Sequence, residues 1–145
     1  MISLGKLSLF ILRLAMGWVM FYAGIVKIMD PNWSAEGYLG NAKTFTGFYQ
    51  WFLGPDILPI TNLVNEWALT LLGISLILGI FVRLSSLWGA LLMILYYFPV
   101  LQFPYIPPHS YLIDDHIIYA LVLLFFAAGN AKSWGLTGLH KKIIL

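Results

Sequence analysis

A chain of 145 residues in which 61% are hydrophobic and 10% charged cannot cover a soluble globule with polar groups, and its mean hydropathy of +0.87 points to a membrane domain. The net charge of +2 is dispersed over helix ends and forms no basic face for nucleic acid. The absence of cysteine excludes disulfides, cysteine-ligated zinc or iron–sulfur clusters, c-type haem attachment and a persulfide carried by the protein.

In chain order, four apolar runs read as membrane helices: Leu7–Ile28, Trp67–Val82, Leu84–Val100 and Tyr111–Ala128. A helical span needs about 20 apolar residues. Lipid offers the backbone no hydrogen-bond partners, and continuous apolar runs without strand-like alternation favour helices over a barrel. The expected fold class is an all-α membrane protein, a four-transmembrane-helix bundle forming one domain over residues 1–145. The first run lacks the short core and small-residue cleavage site of a removable signal, so it is expected to stay as a membrane helix. It carries a stripe at Arg13, Gly17, Met20, Gly24 and Lys27, whose steps of four and three residues keep one helix face. Glycines on such a face let a second helix approach closely. The second run has a shorter version at Glu66, Thr70 and Gly73.

The first connection, Asp30 to Asn62, is too aromatic for a plain loop. Between Ala35 and Phe52 the residues Leu39, Ala42, Phe45, Phe48, Tyr49 and Phe52 recur at helical spacing, which predicts an interfacial amphipathic helix ended by Gly54-Pro55. The second connection, Pro99–Ser110, is stiffened by Pro99, Pro104, Pro107 and Pro108. Together the two connections are expected to form a lid.

Charge is strongly polarised along the bundle. All six carboxylates (Asp30, Glu36, Asp56, Glu66, Asp114, Asp115) and all seven prolines fall on the side of these two connections. Lys6, Arg13, Arg83, Lys132, Lys141 and Lys142 fall on the other, leaving only Lys27 and Lys43 with the acids. By the positive-inside rule both termini are expected in the cytoplasm, with Arg83 in a tight inner turn. Arg13 is expected to snorkel to a lipid phosphate or to meet a partner subunit.

The thirteen residues between Arg13 and Lys27 span roughly 20 Å at 1.5 Å per residue, less than a hydrocarbon core of roughly 30 Å. A charge at mid-bilayer costs on the order of 2.5–3.5 kcal/mol, so Lys27 is expected to pair with Glu66, Asp114 or Asp115 inside the bundle. The alternative is structural: acids at helix starts complement the helix dipole, and the lysine snorkels. Among the three histidines, His109, His116 and His140, only His116 falls at membrane depth. Histidine exchanges protons near neutral pH, and a carboxylate, an imidazole and an ammonium under an aromatic lid suit proton movement to a quinone carbonyl. No metal-ligand set or flavin-binding fold is recognisable, so no metal, haem or flavin is expected.

Taken in order, several segments resemble the DoxX/DoxD family: Leu12-Arg13-Leu14 with Gly17, Ala23-Gly24 through Lys27, and Asp30-Pro31-Asn32-Trp33; then Glu66 with Leu72-Gly73 and Leu78-Gly79 to Arg83; then Asp115-His116 with Tyr119, and Trp134-Gly135-Leu136. The resemblance implies a four-helix, multi-pass protein of a prokaryotic cell membrane. In its DoxD branch it implies the small membrane subunit of a thiosulfate:quinone oxidoreductase, working with a separate partner subunit. The long first connection is closer to that branch. On this reading Asp115, His116, Lys27 and Glu66 are the candidate catalytic residues, and Tyr96, Tyr97 and Tyr119 the candidate quinone-contacting residues. The competing expectation is a non-catalytic accessory subunit of a larger membrane complex, its charges serving helix registry and assembly.

Overall fold

The computed structural model describes residues 4–130. Lys132, Lys141, Lys142, His140 and the Trp134-Gly135-Leu136 segment, invoked above, lie outside the described residues. Three helices are long and apolar enough to cross a membrane: α1 (Leu4–Met29), α4 (Leu58–Leu78) and α5 (Val82–Val100). Between α1 and α4 lie two short helices, α2 (Glu36–Gly40) and α3 (Thr46–Trp51). A fourth apolar helix, α6 (Asp115–Phe125), runs on as a π-helical turn through Asn130.

The fourth span is shorter than expected. Its apolar stretch, Asp115–Gly129, rises only about 22 Å at 1.5 Å per residue. Of the residues assigned to its start, Tyr111 instead ends a small hairpin, β1 (Tyr105–Ile106) pairing antiparallel with β2 (Ser110–Tyr111), and Leu112, Ile113 and Asp114 precede the helix. Asp114 then caps α6 in extended conformation, its carboxylate accepting from the backbone N–H groups of His116 and Ile117.

The second span begins nine residues before Trp67. Its first turns carry Thr61, Asn62 and Asn65, which hydropathy alone assigns to the connection. They remain helical because their polar atoms are satisfied: Asn62 Oδ1 accepts from the Ala35 N–H at 2.9 Å, and Asn65 Oδ1 accepts from the Tyr96 hydroxyl. Pro59 in the first helical turn needs no partner for a missing N–H. Glu66 therefore lies about 12 Å inside α4 rather than at its start, and the helix-end dipole argument does not apply to it.

α1 and α4 pack antiparallel with backbones nearly touching. A Cβ on Gly24 would come 2.5 Å from the Thr70 backbone nitrogen, one on Gly73 2.3 Å from that of Phe21, and one on Gly17 3.0 Å from that of Ile77. The small-residue stripes are thus a helix–helix seam. The turn into α5 runs through Gly79 and Phe81, both at positive φ, and is closed by Ser75 Oγ, 2.6 Å from Ser85 Oγ. Arg83 sits in the first turn of α5 rather than in the loop. α4 meets α5, and α5 packs along α6; Gly89 on α5 leaves room for Leu72 from α4 and Leu123 from α6. Met16, Met20, Leu69, Leu76, Met93 and Phe126 fill the common core.

Of the arrangements expected for Arg13, snorkelling to lipid is not the one formed. Its side chain is 1% exposed, with its guanidinium carbon 5.5 Å from the Phe10 ring centroid.

The single helix expected over Ala35–Phe52 is two, broken at Asn41–Phe45, where Phe45 takes a left-handed conformation. The break lets the segment fold over the end of α5. There Pro99, lacking an N–H, leaves the Leu95 carbonyl without its helical donor, and the Tyr49 hydroxyl supplies one at 2.9 Å. The Tyr38 hydroxyl donates to the Tyr96 carbonyl, the Lys43 N–H to Pro99 O at 3.1 Å and Thr44 Oγ1 to Leu101 O at 2.7 Å. The first connection is the cap of α5. Burial holds the Tyr38 hydroxyl in its neutral, donating form, reinforced by the nearby charge of Asp114; burial alone does so for Tyr49.

Candidate functional site

Beneath this cap is a cavity of about 390 Å³ to which α1, α2, α3, α4, α5 and α6 all contribute. Its lidded end carries Lys27, Trp33, Tyr38, Asn65, Tyr96 and His116; its deeper wall is Val19, Met20, Leu69, Leu92 and Met93. A partly open apolar cavity with a few converging polar groups has the general form of a small-molecule site.

His116 is held by its neighbour in the cap. Its Nδ1 lies 2.6 Å from Asp114 Oδ2, while the other oxygen of Asp114 takes the helix-start N–H groups. The two side chains are 28% and 11% exposed. The edge of the His116 ring meets Tyr96, with centroids 6.0 Å apart and planes at 84°. With Nδ1 committed to Asp114, Nε2 is the nitrogen left for a ligand.

Lys27 makes no direct ion pair with a carboxylate among the described residues. Its ammonium donates to the Ala23 carbonyl at 2.9 Å and stands 5.3 Å from the Trp33 ring centroid. Glu66 is close enough to act on it electrostatically, but no direct ion pair forms between them among the described residues. The backbone acceptor and the aromatic face serve where an acid was anticipated, and Lys27 lines the cavity beside them.

Of the seven candidate residues, Lys27, Tyr96, His116 and Tyr119 come together on the cavity wall. Asp115 is exposed and outside it; Asp114, one residue earlier, makes the contact to His116. Glu66 lies off the wall, and its neighbour Asn65 lies on it. Tyr97 is buried in a separate cluster with Leu101 and Ile106, its hydroxyl donating to Leu112 O at 2.5 Å. Both substitutions carry a signal in the chain. Asp114 is an aspartate directly before an apolar helix, with His two residues on, where an N-cap carboxylate reaches the backbone. Asn65 is a polar residue one turn before Leu69 on the face that enters the core. His109 is exposed near the hairpin tip, away from His116.

Among the described residues, three spans of membrane-crossing length around a lidded apolar cavity define a multi-pass membrane protein. The chain belongs to the DoxX family, which matches residues 8–101. The match takes in α1 to α5, with Lys27, Asn65 and Tyr96, and ends before the Asp114–His116 pair. No curated protein and no solved structure matches the chain.

Proposed function

We propose that this protein is a quinone-facing membrane subunit, DoxD-like, through which electrons from a sulfur donor such as thiosulfate reach the quinone pool with the help of a partner subunit. The lidded cavity, with an Asp114-bound histidine and the Lys27 ammonium on an otherwise apolar wall, carries the reading. A quinone ring fits such a site: the volume is near the lower end of the range for ligand pockets, the aromatic rings of Trp33, Tyr96 and Tyr119 offer faces and edges, and the polar groups are proton donors. A bound quinone supplies a two-electron, two-proton acceptor, the electrons arriving from the sulfur donor through the partner.

His116 is the proton carrier in this reading. Asp114 accepts from Nδ1–H, which orients the ring and balances its charge when Nε2 is protonated; Nε2–H then donates to a ligand oxygen. Lys27 offers a second donor from the opposite side, steadied by Ala23 O and Trp33. The Tyr96 hydroxyl, donating to Asn65 Oδ1, fixes that amide and sets the ring that flanks His116. The polarised charge supports an orientation with the lidded end outside and both termini in the cytoplasm of a prokaryotic cell.

The test is thiosulfate-dependent quinone reduction by membranes containing the chain and its co-purifying proteins, alongside mass spectrometry of bound small molecules. Quinone should co-purify in near-stoichiometric amount, and His116→Gln should cut turnover while leaving membrane insertion intact. A chain that carries no quinone and alters no quinone reaction, found only within an assembly, is instead an accessory subunit.

A further inference from the structure

Among the described residues the cavity has one side where two helices do not pack along one another. α1 lies along α4, α4 meets α5 and α5 lies along α6, but α1 and α6 do not pack along one another among the described residues. Both nevertheless line the cavity, α1 through Val19, Met20, Ala23 and Lys27 and α6 through His116 and Tyr119. Val19 belongs to the cavity wall and is 41% exposed, so no helix among the described residues covers its side chain.

The wall is graded along the bundle axis. Lys27, Asn65, Tyr96 and His116 form the polar end. One turn deeper come Ala23, Leu69, Leu92 and Tyr119, and Val19 lies about 12 Å from Lys27 along α1. A small polar ligand would leave the deeper half without a partner, and a pure hydrocarbon would leave His116 Nε2 and the remaining donors of the Lys27 ammonium desolvated without one. An amphiphile satisfies both halves: a polar ring at the lidded end and an apolar tail leaving toward lipid.

Resting on the quinone reading above, we propose that the seam between α1 and α6 is a lateral channel for the ligand's tail, with Val19 and Tyr119 on its rim, and that the site selects tailed, membrane-dissolved quinones over free rings. Approach is from within the bilayer and not through the lid, whose hydrogen bonds to the end of α5 then stay intact during exchange.

The absence of cysteine makes a clean test possible, because an introduced thiol is the only one in the chain. Val19→Cys is purified folded and then modified with N-benzylmaleimide; Leu71→Cys on the exposed face of α4 is treated alike as a control. Binding of decylubiquinone and of its tail-less ring analogue is measured in nanodiscs by tryptophan quenching. Modified Val19→Cys should lose at least tenfold in affinity for decylubiquinone and less than twofold for the bare ring, while modified Leu71→Cys binds both as the unmodified chain does. Undiminished decylubiquinone binding after modification at Val19 overturns the channel, as does equal loss of both ligands, which would put Val19 against the ring. Failure of the unmodified chain to bind either compound refutes the quinone reading itself, and the channel with it.

Discussion

The two faces of α1 make opposite kinds of contact. Toward α4 it presents Gly17 and Gly24, and there the backbones approach until no Cβ would fit. Toward α6 it presents Val19, Ala23 and Lys27, and there the helices stand apart around a cavity. In lipid no hydrophobic force drives helices together, so close van der Waals contact between small residues decides where they join. Larger or polar residues facing inward hold them apart. The same helix is therefore a rigid brace on one face and a cavity wall on the other.

That contrast can be broken most severely at its tight side. Gly73→Val places a side chain where Phe21 backbone atoms lie within 2.5 Å, and backbone cannot yield as a side-chain tip does. Overpacking costs about 1–3 kcal/mol even when side chains relax; here α1 and α4 should separate, and the variant should fail to appear as a monodisperse folded species in detergent. A variant with wild-type thermal stability would show that the close seam is not what joins these helices.

At the open side, the effect should fall on chemistry instead. His116→Gln removes a proton carrier of a kind that contributes about 10²–10⁴-fold to rate, so quinone-linked turnover should drop by at least tenfold with unchanged melting. Asp114→Asn separates capping from charge, because asparagine caps helices about as well as aspartate. Stability should then change little while turnover falls several-fold, and Asp115→Asn, at an exposed position, should leave turnover near the parent value. Equal effects of these two asparagine variants would dissolve the assignment of Asp114 as the partner of His116.

The cap sharpens the comparison with a smaller effect. Tyr49→Phe leaves the Leu95 carbonyl, already deprived of a donor by Pro99, without its hydroxyl partner. An unsatisfied buried acceptor costs about 1–3 kcal/mol, which a shift in thermal or denaturant midpoint would register. Little or no shift would mean that water replaces the hydroxyl and that the lid end is wetter than the α1–α4 seam.

The amino-acid sequence alone determined that this is a helical membrane protein, because apolar runs of bilayer length leave the backbone no other way to satisfy its hydrogen bonds in lipid. It also determined the glycine faces of α1 and α4, since helical spacing is a local property, and the gathering of every acid at one end. Tertiary structure decided what local pattern cannot carry. Thr61, Asn62 and Asn65 look like loop residues until Ala35 and Tyr96 arrive from distant segments to satisfy them. Asp114 and Asp115 are chemically identical, and although the sequence marks a helix start here, the backbone geometry of the cap is what turns the first toward His116 and leaves the second exposed. Lys27 reads as half of an ion pair because charge in a membrane demands compensation. The fold compensates it with a backbone carbonyl and the face of Trp33, with Glu66 acting from beyond direct contact, and the Trp33 contact depends on how the chain turns after α1.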